Sequence, residues 1–300
     1  MTFTGLLLAV IVGTWNGQWF PSGRAEHRAN PEVEAATIRA AGGVISNGIA
    51  RLDAAGTEDV ILVVNEMRGP HVTEELAKAI GRTNLNVAVI TGYRRRDRFD
   101  MQQDAILTTL PIAGTHWSLW KSESRVQPPR GFACADLVLP SSVTVTVYGV
   151  HLKSNYGATT ATRRVEDRAK REMAARQLVQ LEQPRRGKAR RPVIVAGDFN
   201  ADKWKRAFAD EATFEILESA GFENVLERLP PDRRGTYPNA HRGDSAFDYI
   251  FLRGLALAAD PVIGDSESVS DHNPVFVRIG TSEPEADGNS GALTKSKSAL

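Results

Sequence analysis

The sequence predicts an α/β domain built in layers around a mixed sheet system. Three observations carry this: nine short apolar runs bounded by turn residues, the Val- and Ile-rich character of most of them, and capped helical segments between several. Most runs lack sustained polar alternation. A strand of that kind is covered on both faces, as happens when helices or a second sheet lie on each side.

Taken in order, the runs are LLLAVIVGTW, VILVV, VAVITGY, AILTTLPI, CADLVLP, VTVTVYGVHL, PVIVAG, AFDYIFL and NPVFVRI. The opening GLLLAVIV lacks the basic residues of a signal peptide and runs straight into Trp15-Asn16, so it reads as a buried first strand. Asn30-Pro31 reads as the cap and first turn of one helix, and VTEELAKAIG as a second that stops at Gly81. The longest helix is expected over residues 160–183, with Val165, Ala169, Met173, Leu178 and Leu181 as its core stripe. Three strands in the middle follow one another without a helix, which predicts antiparallel pairing there. From about Thr281 the composition turns to Ser, Gly, Glu, Ala and Lys without periodicity. We therefore expect one domain over residues 1–280 and a disordered tail over 281–300.

Composition excludes several classes. With 42% hydrophobic and 24% charged residues the chain can bury a large core, and no apolar stretch approaches the roughly 18 residues of a membrane span. The 37 basic and 36 acidic residues nearly cancel, so attraction to a polyanion must come from local patches. Cys134, the only cysteine, cannot form an internal disulfide and reads as a core thiol. The expected setting is cytoplasmic, with secretion open, no stable membrane association and no obligate protein partner.

The chemistry lies where polar residues interrupt strands: TWN at 14–16, NE at 65–66, HLKS at 151–154, GDFN at 197–200, DYIF at 248–251 and SDHNPV at 270–275. A single Asp-x-Asn after a strand is ordinarily a turn or helix cap. Six such clusters, each delivered by a strand end, can converge on one crevice. Asn, carboxylates and histidines without cysteine form a hard donor set suited to Mg²⁺ or Mn²⁺. Cleaving a phosphodiester needs charge neutralisation, an oriented water and stabilisation of the leaving oxygen, and these residue types supply all three.

The ordered set TWN, NE, HLKS, GDFN, DYIF and SDHNPV resembles the endonuclease/exonuclease/phosphatase superfamily, with its deoxyribonuclease-I-like fold, over about residues 5–279. The resemblance implies a four-layered α/β sandwich, two mixed sheets face to face with helices outside. It implies Glu66 as principal metal ligand, with Asn16 and Asp271 close to the ion. His272 would contact the scissile phosphate while Asp248 fixes its tautomer. Asp198 would orient or deprotonate the attacking water, Asn200 would donate to the phosphate, and Gly197 would permit close approach. His151 stands where relatives carry histidine or tyrosine, as phosphate contact or leaving-group acid.

Basic residues are sorted by strand direction. The run RRGKARR at 185–191 precedes a strand whose far end carries Asp198, roughly 20 Å away at about 3.3 Å per residue, and reads as a solvated loop. VAVITGY is expected to run towards the site, so Arg94, Arg95, Arg96 and Arg98 would rim the cleft. Lys153 and Asn155, on the loop after His151, and Tyr237, His241 and Arg242, before Asp248, are further substrate-contact candidates. Trp117 and Trp120 read as packing. The expected activity is metal-dependent hydrolysis of nucleic acid, DNA before RNA. The alternatives are phosphomonoester, phospholipid or inositol-phosphate hydrolysis, or a binding module without turnover.

Overall fold

The computed structural model describes residues 9–22, 30–53, 55–95, 98–183, 191–241, 243–266 and 269–280. The expected tail, Arg96, Arg242, residues 185–190 and the first four residues of GLLLAVIV lie outside them.

β1 (Ala9–Phe20) shows how an unalternating sequence becomes a doubly covered strand. Val10 and Val12 join the core between the sheets, whereas Ile11 and Trp15 join the core beneath the helices on the other face. The same split divides Ile61 and Val63 from Leu62 and Val64 in β2 (Asp59–Met67). Each such side chain, fully buried, contributes about 1.5–3 kcal/mol, so both faces of the strand favour the fold.

The first sheet also contains β3 (Asn86–Ile90), β6 (Gln103–Thr108), β13 (Ala256–Leu257), β14 (Val262–Ile263) and β15 (Val275–Gly280). Its order is β13-β15-β1-β2-β6-β3, with β14 also on β15. β1 and β2 are parallel; the other pairings are antiparallel. α1 (Pro31–Ala50) and α2 (Pro70–Ile80) cover its outer face through Ile45, Ile49, Leu76 and Ile80. Asn30 caps α1 by accepting from the amides of Glu32 and Val33, and Gly81 ends α2 at φ 75°, as expected.

The second sheet is built from β7 (Ile112–Leu119), β8 (Gly131–Val138), β9 (Thr144–His151), β10 (Val193–Asp198), β11 (Glu223–Asn224) and β12 (Asp248–Arg253). Its order is β11-β12-β10-β9-β8-β7, with β9 and β10 parallel. The core continues through it to α3 (Ala161–Leu181) and α4 (Thr213–Ser219). Helix, sheet, sheet, helix are therefore the four layers. A small hairpin, β4 (Arg94–Arg95) with β5 (Arg98–Phe99), extends beyond β3.

Three expectations need correction. AILTTLPI is not one strand: β6 ends at Thr108 and belongs to the first sheet, and the chain crosses to the second as β7. The antiparallel meander is thus β7-β8-β9. β7 is exposed along its whole length as an edge strand, so it carries no apolar signature. The stripe assigned to α3 is wrong at its ends, since Val165 and Leu181 are exposed. That face instead buries Arg171, whose Nε and Nη2 donate to Glu211 at 3.1 and 2.6 Å, while Nη1 donates to Lys153 O and Asn155 Oδ1. A fully bonded fork can be buried where an unpaired guanidinium cannot, and no apolar pattern announces it. Trp120 packs on Phe132 as expected, but Trp117 is 41% exposed.

Candidate active site

Register places the motif residues in rows. In the first sheet Asn16 pairs with Asn65, next to Glu66. In the second, His151 pairs with Asp198 and Asp198 with Asp248, side by side on β9, β10 and β12. β15 begins three residues after His272. The parallel strands thus end, and their antiparallel partners begin, at one crevice between the sheets.

Side-chain contacts join the rows. Asn16 Nδ2 donates to Asp198 Oδ2 at 2.9 Å and reaches Glu66 Oε1 at 3.4 Å. The Trp19 amide donates to Glu66 Oε2 at 2.9 Å. His151 Nε2 lies 3.7 Å from Glu66 Oε1 and 3.6 Å from Asp198 Oδ2. His272 Nδ1 and Asp248 Oδ2 are 2.7 Å apart, and Thr236 Oγ1 donates to the same oxygen at 2.8 Å. His272 Nε2 faces Asp198 Oδ2 at 4.0 Å and Asp271 Oδ1 at 3.9 Å. Trp15 Nε1 anchors the loop by donating to His272 O at 3.1 Å.

Glu66 and Asn200 hold left-handed backbone angles, φ 61° and 52°. That conformation costs a non-glycine residue about 1–3 kcal/mol and persists where the surroundings impose it. The Asn200 amide donates to Asp198 Oδ1 at 2.7 Å, and its Nδ2 to Asp198 Oδ2 at 3.0 Å and Leu152 O at 3.3 Å. In this structure Asn200 therefore holds Asp198. Gly197 has a nearer reason than substrate approach: a Cβ there would lie 1.9 Å from Val150 O of β9.

The electrostatics follow from burial. It raises Asp198 to about 7 against the lowering effect of His272, and it raises Glu66 as well. Burial also draws the His151 imidazolium well below its ordinary value, so this ring is neutral. Burial opposes the His272 charge too, but Asp248, Asp198 and Asp271 outweigh it and hold the imidazolium up to about 10.

Around these residues lie four that the motifs alone did not assign. Asn65 accepts from the Asp198 amide at 3.0 Å and donates to Val150 O, bridging the sheets behind the crevice. Asp104, raised by burial to about 7, accepts from Asn65 at 2.8 Å and from the Tyr93 hydroxyl at 3.2 Å. Thr236 fixes Asp248. Arg130 donates to His151 O and Leu152 O at 3.0 and 2.8 Å. Asn65 falls inside the NE motif and was legible there, whereas Thr236 lies outside the six motifs. Asp104 and Arg130 sit in strand and turn segments with no such mark.

The substrate candidates separate. Tyr237 stands edge-on to His272 at 5.0 Å. Arg94, Arg95 and Arg98 are exposed on the β4–β5 hairpin, and β3 does run towards the site end. Lys153 lies 3.3 Å from Asp167, and Asn155 Oδ1 accepts from Arg171, so both are tied to α3. His241 is exposed. Arg191, the described end of the basic run, pairs with Asp136 at the opposite end of β10.

The donors suit a divalent cation. Carboxylates of Glu66, Asp198, Asp248 and Asp271 surround the single His272 imidazolium, with Asp248 Oδ1 and His151 Nδ1 buried without a partner among the described residues. The tightest triple, Asp198, Asp248 and His272, has its ligand atoms within 4.8 Å of one another. Among the described residues no helix is long and apolar enough to cross a membrane.

Fold and site together define an α/β-sandwich hydrolase. The Endonuclease/Exonuclease/phosphatase family matches residues 14–272, and the chain belongs to that family, whose members are typically dependent on divalent metal. No curated protein matches it. Similar solved structures include humanized D. rerio TDP2 with 14 mutations, 17% identical over 91% of this chain and 99% of that one, TM-score 0.60. D. rerio TDP2 complexed with single strand DNA product is 15% identical over 91% and 99%, TM-score 0.54. The mannosyl-6-phosphatase of Bacteroides thetaiotaomicron VPI-5482 is 16% identical over 90% and 99%, TM-score 0.55. At these identities the likeness is one of fold.

Proposed function

We propose that the chain is a Mg²⁺- or Mn²⁺-dependent phosphodiester hydrolase acting on nucleic acid, DNA before RNA. The observation that carries it is the surplus of buried carboxylate beside an Asp248–His272 pair whose second ring nitrogen faces the crevice. Glu66, Asn16 and Asp271 would hold the cation. Asp248 and His272 belong to the tightest triple, but their atoms are already committed to each other at 2.7 Å. The bound cation would neutralise phosphate charge and polarise the phosphorus–oxygen bond.

The remaining steps belong to the protein. Asp198, steadied by Asn16 and Asn200, accepts the proton of the attacking water. His272, protonated and held by Asp248, donates through Nε2 to a phosphate oxygen as charge builds; the ester P–O bond opposite the attacking water breaks, its oxygen takes a proton from solvent, and Asp198 returns its own to solvent. His151 is the neutral phosphate contact, since its lowered pKa makes it a poor leaving-group acid. Donation from Asn200 to phosphate would require its amide to leave Leu152 O. Arg94, Arg95, Arg96 and Arg98, with Tyr237 and Arg242, supply the substrate contacts; Lys153 and Asn155 shape the loop beside them.

The preference for nucleic acid rests on the exposed arginines at the site end. It also draws on a relative solved with a single strand DNA product. The test compares plasmid DNA, single-stranded DNA, RNA, and phospholipid and inositol-phosphate substrates, each with Mg²⁺ or Mn²⁺. Polynucleotide cleavage should dominate, and its KM should rise steeply with salt as phosphate contacts release counterions. Turnover confined to the small or lipid substrates would overturn the nucleic-acid assignment and leave the metal site standing.

A further inference from the structure

We infer that Phe99, Trp117 and Tyr156 form stacking platforms for unpaired bases, so that the substrate strand is single where it crosses the rim of the cleft. This rests on the nuclease reading above and narrows its substrate class.

Among the described residues four aromatic side chains are exposed: Phe99 at 45%, Trp117 at 41%, Tyr156 at 93% and Trp204 at 38%. All four lie at the catalytic end. Phe99 is on the hairpin that follows β3, with its ring 3.7 Å from the Cβ position of Gly69, three residues beyond Glu66. Trp117 is on β7, opposite Ala133; its ring rests on Gly92 and stands edge-on to Tyr93 at 5.8 Å. Tyr156 follows His151 by five residues, on a loop whose turn is fixed by donation from its amide to Ser154 Oγ. Trp204 is already covered by the Arg234 guanidinium at 4.3 Å and is left out of the assignment.

An exposed indole or phenyl ring gains nothing from water, and three uncovered ones gathered at one end of the described residues mark a contact surface. The chemistry of the partner follows from what lies between the rings. Arg94 pairs with Phe99 across the hairpin, so the two side chains share a face, and Arg95 pairs with Arg98. A ring beside a guanidinium matches a nucleotide, base on ring and phosphate on charge, and this is how single strands are held without sequence preference. Bases stacked inside a duplex offer no free face to three separate platforms. A bilayer fits less well, because insertion needs one contiguous apolar protrusion, whereas these rings stand on three separate segments with arginines among them.

The experiment uses the full chain with Mg²⁺ and compares wild type, the double variant Phe99→Ala/Trp117→Ala and the single variant Tyr156→Ala. Substrates are a single-stranded oligonucleotide, its duplex, and an abasic strand of equal length. The double variant should raise KM for the single strand about tenfold or more, with kcat within about twofold. KM for the abasic strand and the duplex should stay within about twofold. Tyr156→Ala, on a side chain almost wholly in solvent, should show the same pattern more weakly even if the double variant melts early. The inference is overturned if the KM change is absent, if it is equal on the abasic strand, or if the variants lose binding to phosphatidylcholine vesicles instead. Strand cleavage indifferent to these rings would sink this inference alone. Failure to cleave any strand, with hydrolysis of phospholipid or inositol phosphate intact, would sink it together with the nuclease reading.

Discussion

Asp198→Asn is expected to slow hydrolysis by about 10³-fold, while in metal-free buffer its Tm relative to wild type climbs as pH rises from 4 to 8. The loss follows from removing the proposed proton acceptor, an effect of about 10² to 10⁴ for positioned acids and bases. The gain follows from linkage. Burial raises the carboxyl from 3.8 to about 7, so ionisation favours the unfolded chain. Its penalty is absent below 3.8, grows as pH rises towards about 7, and is constant above. The difference in Tm between variant and wild type should therefore move upward from pH 4 to pH 8. In the metal-free cluster Asp198 must shed its proton near pH 7. Activity should accordingly rise with pH, and saturating cation should move that limb to lower pH by competing with the proton. A variant with full activity, or a Tm difference that falls over this range, would refute the assignment.

Asp248→Asn should cost about 10² to 10⁴ in kcat and, more diagnostically, move the alkaline limb of the pH profile downward. His272 is held at about 10 because the carboxylates around it, Asp248 foremost, outweigh the burial that opposes its charge. Without that carboxylate, burial gains ground and the imidazolium is lost at lower pH. The sign for stability is the same: the pair's contribution is fully present below 6.5 and is lost as pH rises through about 10. The variant should thus be destabilised relative to wild type at pH 6 and less so near pH 10. Thr236 would still donate to the amide oxygen of the new side chain, which keeps the loop geometry and isolates the charge effect. An unmoved alkaline limb would mean that His272 does not act as an imidazolium.

What the sequence showed and what it hid have physical reasons. The doubly covered strands were legible because both faces of β1 and β2 demand apolar side chains, leaving an unbroken run. The gathering of the candidate residues was legible because strand ends carry Asn16, Glu66, His151, Asp198 and Asp248 to one crevice, and polar residues in such runs stand out. β7 was not legible: an edge strand in solvent has no periodic constraint. The burial of Arg171 was hidden because it depends on Glu211, forty residues away in the chain. Asp104 and Arg130 were hidden for the same reason, since each is defined by partners on other strands. Trp117 was read as packing because its exposure depends on β7 being an edge.

If carboxylates at these strand ends hold a divalent cation for phosphodiester hydrolysis, adding Mg²⁺ to chelator-treated protein should restore activity and stability together. Wild type should regain single-strand cleavage and gain thermal stability in parallel as Mg²⁺ is added. Glu66→Ala, lacking the proposed principal ligand, should show neither response in the same concentration range. Full cleavage by chelated wild type, or an unchanged Mg²⁺ response in Glu66→Ala, would mean that these carboxylates do not hold a catalytic cation.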